Sequence, residues 1–112
     1  MLNLSNQQRD FDRPLAECIY GTLTELLSAQ VAEALYSHLG SHYSVSRDQI
    51  PYRLDTLVST LQNTFGVGGK VIGRAIARRL YAQLRLEFTN TPEKTLLEYV
   101  EQAKAMLESK SA

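Results

Sequence analysis

Four basic side chains and a tyrosine recur in the middle of the chain at spacings that place them on one face of a helix. They are Lys70, Arg74, Arg78, Tyr81 and Arg85. Lysine and arginine attract phosphate groups, and a tyrosine ring can stack on a base. The spacing therefore indicates a candidate anion or nucleic-acid face. The alternatives are a solvated helix face and a face that pairs with the acidic C-terminal helix.

A cluster of glycines stands just before these basic residues. Glycines ahead of a helix can leave backbone N–H groups free to bind an anion, but this run is not a Walker A loop, because Val71 follows Lys70 where serine or threonine is required. The structural interpretation, which we favour, is that Gly66 ends the preceding helix and that small residues let another helix approach closely. The candidate helix-packing groove consists of Gly69, Gly73 and Ala77.

The two histidines have a spacing that could serve a metal. His38 and His42 stand four residues apart, but Gly40 lies between them and predicts the end of the helix. A zinc site needs three or four protein ligands, and Cys18 is the only thiol. No Gly-x-Ser-x-Gly motif is present either. We therefore predict no catalytic residues, no metal and no cofactor, with an enzyme assembled from distant residues as a third alternative.

Composition narrows the class of protein. The 112 residues carry a net charge of zero, whereas a nucleic-acid-binding domain is usually basic overall. The lone cysteine cannot form an internal disulfide, and no apolar run reaches the length of a membrane span. The N-terminus does not have the pattern of a signal peptide. We expect a soluble, cytoplasmic protein that has no membrane partner.

The apolar residues recur with helical periodicity, which predicts an all-α fold, a compact bundle of four to five helices. Residues 1–12 are predicted to form a flexible N-terminal arm and residues 13–112 a single helical domain. Pro14 suits the first turn of the first helix. The apolar pattern from Pro14 to Gly40 fits either one long helix or two; we favour a break near Ser28, which would be the N-cap of a second helix that Gly40 ends.

A polar connector and three further helices follow. Ser46 and Gln49 have capping-box spacing, which predicts a single turn. The next helix starts near Leu54 and ends at Gly66. The last two helices are predicted from the glycine cluster to about Leu84, and from Thr91 and Pro92 onward.

Several short motifs between Ala32 and Phe88 occur in a distinctive order. They are Leu35–Leu39, Ile50–Pro51, Phe65–Gly66, Lys70–Ile72 and Arg79–Tyr81. In this order the segment resembles the small archaeal output domains named for Nitrosopumilus signalling proteins. The resemblance covers about half of the 112 residues and implies a helical module of the kind joined to receiver domains, with no established catalytic role. It assigns no functional residues, and we expect no receiver domain within this chain.

These observations lead to two functional hypotheses. The first is a non-catalytic signalling or regulatory protein-interaction module that self-associates, because the packing groove and a narrow apolar stripe on the last helix could both receive a helix. Its partner is another protein or a second copy. The alternative is a nucleic-acid or anion-binding protein that uses the basic face of the central helix.

Overall fold

The computed structural model describes the backbone of residues 3–111 and the side chains of residues 11–109. Over that range the all-α prediction is confirmed, and no strand is present. The elements are α1 (Asn3–Leu27), α2 (Ala29–Tyr43), a 3₁₀ helix (Arg47–Tyr52), α3 (Leu54–Phe65), α4 (Val67–Gln83) and α5 (Leu96–Ser111). We predicted one domain over residues 13–112, and the structure forms two compact units, the first ending at Arg53 and the second starting at Leu54.

Helix α1 starts earlier than the sequence predicts. Of the arm predicted at residues 1–12, the first two residues lie outside the described range, and the backbone is helical from Asn3 onward. The buried stripe reaches back to Phe11, which precedes Leu15 by four residues and is 6% exposed. That additional buried turn extends the helix across Pro14, which lies inside α1 rather than at its start.

The predicted break between the first two helices is confirmed at Ser28. Its side chain accepts a hydrogen bond from the backbone N–H three residues on, at 3.3 Å, as an N-cap does. The predicted end at Gly40 is wrong, because α2 continues to Tyr43. Ser44 provides the cap instead: its φ of 56° is left-handed, and its N–H donates to the carbonyl of Leu39.

The first unit is closed by the short 3₁₀ helix, which packs against α1. The predicted capping box is confirmed, since the Ser46 N–H donates to the Gln49 side chain at 3.0 Å. Ile50 and Pro51 are buried. They join a core of aliphatic residues from α1, α2 and the connector: Leu15, Ile19, Leu23, Ala32, Leu35, Leu39 and Val45.

In the second unit, α4 packs against both α3 and α5. The turn between α3 and α4 is made by Gly66, whose φ of 60° favours glycine. Gly69 lies so close to α3 that a Cβ there would be 2.6 Å from the carbonyl oxygen of Leu61. A Cβ on Gly73 would lie 3.5 Å from the Cβ of Leu96 on α5. The small residues therefore bring these helices together within one unit.

The start of α5 differs from the prediction at Thr91. The helix begins at Leu96, after a capping box in which the N–H of Thr95 donates to the Glu98 carboxylate at 2.9 Å. The Glu98 N–H donates back to the Thr95 hydroxyl at 3.3 Å. Thr91 is held instead by Tyr99, whose hydroxyl bonds both its N–H and its carbonyl.

Candidate functional site

The structure divides the predicted basic face into exposed and buried members. Lys70, Arg78 and Arg85 are exposed, and Arg74 is half-buried. Arg85 lies beyond the end of α4, in a left-handed conformation with φ of 60°. Three basic residues thus follow one side of α4, and a fourth lies just past its end.

Tyr81 cannot belong to a surface that stacks on bases, because its side chain is only 1% exposed. Its hydroxyl donates a 2.7 Å hydrogen bond to the backbone carbonyl of Tyr99 on α5. The Phe88 ring meets it edge-on, with centroids 5.4 Å apart. Burial raises the pKa of Tyr81. The sequence prediction failed here because Tyr81 lies at the border of the exposed face, where α5 covers it.

The three members of the predicted packing groove are all buried. Gly69 and Gly73 face α3 and α5 at the close distances given above, and Ala77 is fully covered. The apolar stripe predicted on the last helix consists of Leu96, Val100, Ala103 and Leu107. The first three are each 2% exposed or less, and Leu107 is half-buried. Apart from Leu107, the residues that suggested docking of an external helix therefore belong to the core of the second unit.

A larger concave feature lies in the first unit, where sequence analysis predicted no site. It is an open groove of about 810 Å³ between α1, α2 and the 3₁₀ helix. Its lining combines tyrosines, charged side chains and small or apolar residues. The lining residues are Asp12, Arg13, Ala16, Glu17, Tyr20, Gly21, Tyr36, Arg47, Asp48, Ile50, Pro51 and Tyr52.

At one side of the groove, an arginine of the 3₁₀ helix rests against residues from both longer helices. The Arg47 guanidinium carbon lies 5.1 Å from the ring centroid of Tyr20 and 4.7 Å from that of Tyr36. Its Nη2 donates a 2.8 Å hydrogen bond to Glu33 Oε2. The Tyr20 hydroxyl donates to the same carboxylate oxygen at 3.0 Å. We call Tyr20, Glu33 and Tyr36 the aromatic notch.

The contacts in the aromatic notch shift three pKa values. The hydrogen bond from Arg47, followed by that from Tyr20, lowers the pKa of Glu33, and the same carboxylate raises the pKa of Arg47. Burial raises the pKa of Tyr36 to about 12. At neutral pH the notch therefore presents a charged carboxylate beside two tyrosine rings, a set suited to a guanidinium or ammonium group.

The rest of the groove carries an excess of negative charge. Asp12, Glu17 and Asp48 line it, and Arg13 is the remaining cation once Arg47 is paired with its carboxylate. The Oδ2 atom of Asp12 is buried and has no hydrogen-bond partner among the described residues. A buried acceptor without a donor among the described residues is costly, and the surplus of carboxylates on the lining favours a cationic occupant of the groove.

The notch could be only partly detected from the sequence. Glu33 and Tyr36 are three residues apart on α2, so they share a helix face. Tyr20 and Arg47 lie 13 and 14 residues from Glu33 in the chain, and no short motif connects them. Folding of α1 against α2 and of the 3₁₀ helix against α1 brings the set together.

Because α2 continues through Gly40, the two histidines lie on one continuous helix. His38 and His42 lie on the same side of the helix, and their rings stack with centroids 4.1 Å apart. No group of three metal-binding side chains occurs among the residues that the structure describes. Across the described part of the chain, no helix has the length and apolar character needed to cross a bilayer.

Comparison of the chain with protein-family models, curated proteins and solved structures finds no match. The resemblance to the archaeal output domains therefore stays a prediction. Two surfaces are candidates for binding: the acidic, tyrosine-lined groove of the first unit and the basic side of α4 in the second.

Proposed function

We propose that this chain is a non-catalytic protein-interaction module and that the groove of its first unit binds a basic segment of a partner protein. The observation that carries the proposal is the groove itself, with its tyrosines and its surplus of carboxylates, among them Asp12, whose Oδ2 atom has no partner among the described residues. Opposite charges across an interface favour encounter and select the partner. A basic segment is the occupant that satisfies this lining.

The chemistry of the groove fits weak, reversible binding. Exposed ion pairs contribute about 0.2–1 kcal/mol each, and exposed cation–π contacts about 0.5–1 kcal/mol. Several such contacts allow association that salt and competing partners can reverse, which suits a signalling or regulatory role. The proposal places the protein in the cytoplasm, where the thiol of Cys18, which is buried and not part of a disulfide, stays reduced.

The sequence also predicts self-association, on the basis of the packing groove of α4 and the apolar stripe of α5. Both features are largely buried within the second unit. A second copy therefore stays a predicted partner, but the small residues of α4 and most of the α5 stripe are not available to receive it, and the exposed apolar side chains of α4 are Val67 and Val71. The groove of the first unit is the better-supported site.

Binding of a labelled peptide of arginine and serine, followed by fluorescence anisotropy, tests the proposal. Because Glu17 and Asp48 line the groove, replacing both (Glu17→Gln with Asp48→Asn) should weaken binding about 2- to 30-fold. The matched control removes two exposed carboxylates of α5, Glu101→Gln with Glu108→Gln, and should leave the affinity unchanged. Equal loss in both variants would mean nonspecific attraction and would reject the groove as the site.

The basic side of α4 supports a second candidate function, binding of nucleic acid or another polyanion. Lys70, Arg78 and Arg85 are exposed, and no acidic residue occurs between Thr56 and Leu86. This candidate predicts that the protein raises the anisotropy of labelled DNA or RNA and that this binding weakens steeply with added salt. The double variant Lys70→Glu with Arg78→Glu should not bind. Absence of binding at low salt would leave α4 with a solvated basic surface.

A further inference from the structure

The aromatic notch already holds a guanidinium, and that guanidinium belongs to the chain itself. Arg47 lies within 5.1 Å of two tyrosine ring centroids and donates to Glu33 at 2.8 Å. These are the contacts that would hold an arginine side chain supplied by another protein. The geometry of the notch is therefore compatible with a guanidinium group.

The internal arginine is exposed enough to be displaced. The side chain of Arg47 is 56% exposed and that of Glu33 is 53% exposed. Surface ion pairs of this kind contribute little to stability, so exchange of one guanidinium for another has a small energetic cost. The notch also opens on the larger groove, because Tyr20 and Tyr36 line both.

We propose that Tyr20, Glu33 and Tyr36 form a binding site for an arginine side chain of the partner, and that Arg47 occupies this site when the partner is absent. The proposal rests on the function proposed above and specifies the residue that the partner must supply. Arg47 acts as an internal competitor, since the notch is available only in the fraction of molecules in which Arg47 has moved away.

A purely structural account of Arg47 predicts something different. In that account the contacts of Arg47 hold the 3₁₀ helix against α1 and α2. Removal of either Arg47 or its partner Glu33 would disturb the geometry of the groove in the same way. Arg47→Ala and Glu33→Gln would then have the same effect. The binding-site proposal expects opposite effects, because the first variant empties the notch and the second removes its carboxylate.

The experiment measures the affinity of three proteins for the arginine–serine peptide: wild type, Arg47→Ala and Glu33→Gln. Removal of the competitor should strengthen binding by Arg47→Ala about 2- to 5-fold. Glu33→Gln should bind more weakly than wild type. A lysine–serine peptide of the same length should gain less from Arg47→Ala, since lysine cannot form the bidentate, stacked contacts of a guanidinium.

The outcomes separate this inference from the function on which it rests. Binding by wild type that weakens in Arg47→Ala overturns the notch and leaves the groove as a binding site. Binding that strengthens in Arg47→Ala and weakens in Glu33→Gln upholds the notch. Absence of binding by wild type and Arg47→Ala alike overturns both proposals, and circular dichroism of each variant checks that it folds.

Discussion

At the scale of the residue, surroundings decide what each tyrosine can do. Tyr36 borders the groove, and burial raises its pKa to about 12. Tyr81 is enclosed in the second unit and uses its hydroxyl to bond the backbone of α5. Tyr52, which also lines the groove, is 63% exposed. One residue type therefore serves as a half-buried wall of the groove, an exposed edge of the groove and a core element within the same chain.

The first prediction concerns the ionisation of Tyr36. Ultraviolet titration of tyrosinate absorbance should include one group with a pKa of about 12, and Tyr36→Phe should lack it. Because the unfolded chain ionises this phenol near 10, the free energy of unfolding should fall as pH rises from about 10 toward about 12. If Tyr36→Phe instead loses a tyrosine of ordinary pKa, Tyr36 is not buried as described.

The second prediction concerns the hydrogen bond between Tyr81 and the carbonyl of Tyr99. Replacing the hydroxyl in Tyr81→Phe should reduce the free energy of unfolding by about 0.5–1.5 kcal/mol, because a buried donor is removed while the ring stays packed. The exposed Tyr52→Phe is the control and should change stability by less than about 0.5 kcal/mol. Equal effects in urea denaturation would contradict the described contact.

At the scale of the element, α4 is shaped by its glycines. Gly69 permits the backbone of α4 to approach that of α3, whereas a Cβ added at Gly68, one position earlier, would lie 3.5 Å from the Cβ of Phe65, an ordinary contact distance. The sequence supports both an anion-binding loop and a packing role for this cluster. The contacts of Gly69 and Gly73 place the cluster among packing residues.

The two neighbouring glycines provide a matched test of that packing. Gly69→Ala puts a Cβ 2.6 Å from the Leu61 carbonyl oxygen, so α3 and α4 must separate, at a cost of about 1–3 kcal/mol. Gly68→Ala has room for its Cβ and should be neutral or stabilising by up to about 1 kcal/mol, since alanine favours the helix. Denaturant unfolding of both variants measures the difference, and a harmless Gly69→Ala would refute the close contact.

Helix boundaries show which parts of the fold are readable from the sequence. The break at Ser28 and the turn at Gly66 are set by local chemistry, a side-chain cap and a left-handed glycine, and both are predicted correctly. The start of α1 depends on the burial of Phe11. The start of α5 is set by the capping box of Thr95 and Glu98, which forms in place of the predicted cap at Thr91. These two helix starts depend on tertiary contacts and on which of two capping sequences forms the cap, and the periodicity of apolar residues does not reveal either.

At the scale of the whole molecule, charge is distributed unevenly even though the net charge is zero. The groove of the first unit carries surplus carboxylates, and the exposed side of α4 in the second carries surplus cations. The basic surface is visible in the sequence because its residues follow one helix. The groove is not, because it is assembled from α1, α2 and the 3₁₀ helix, whose contributing residues are far apart in the chain.

The most direct test of the central claim is an NMR titration of ¹⁵N-labelled protein with the unlabelled arginine–serine peptide. The account predicts that the largest amide shifts cluster in the groove, around Tyr20, Tyr36 and Asp48, while the amides of Lys70 and Arg78 stay in place. Saturable shifts in the groove would establish it as the binding site for a basic segment. Largest shifts on α4, or no shifts at all, would contradict the account.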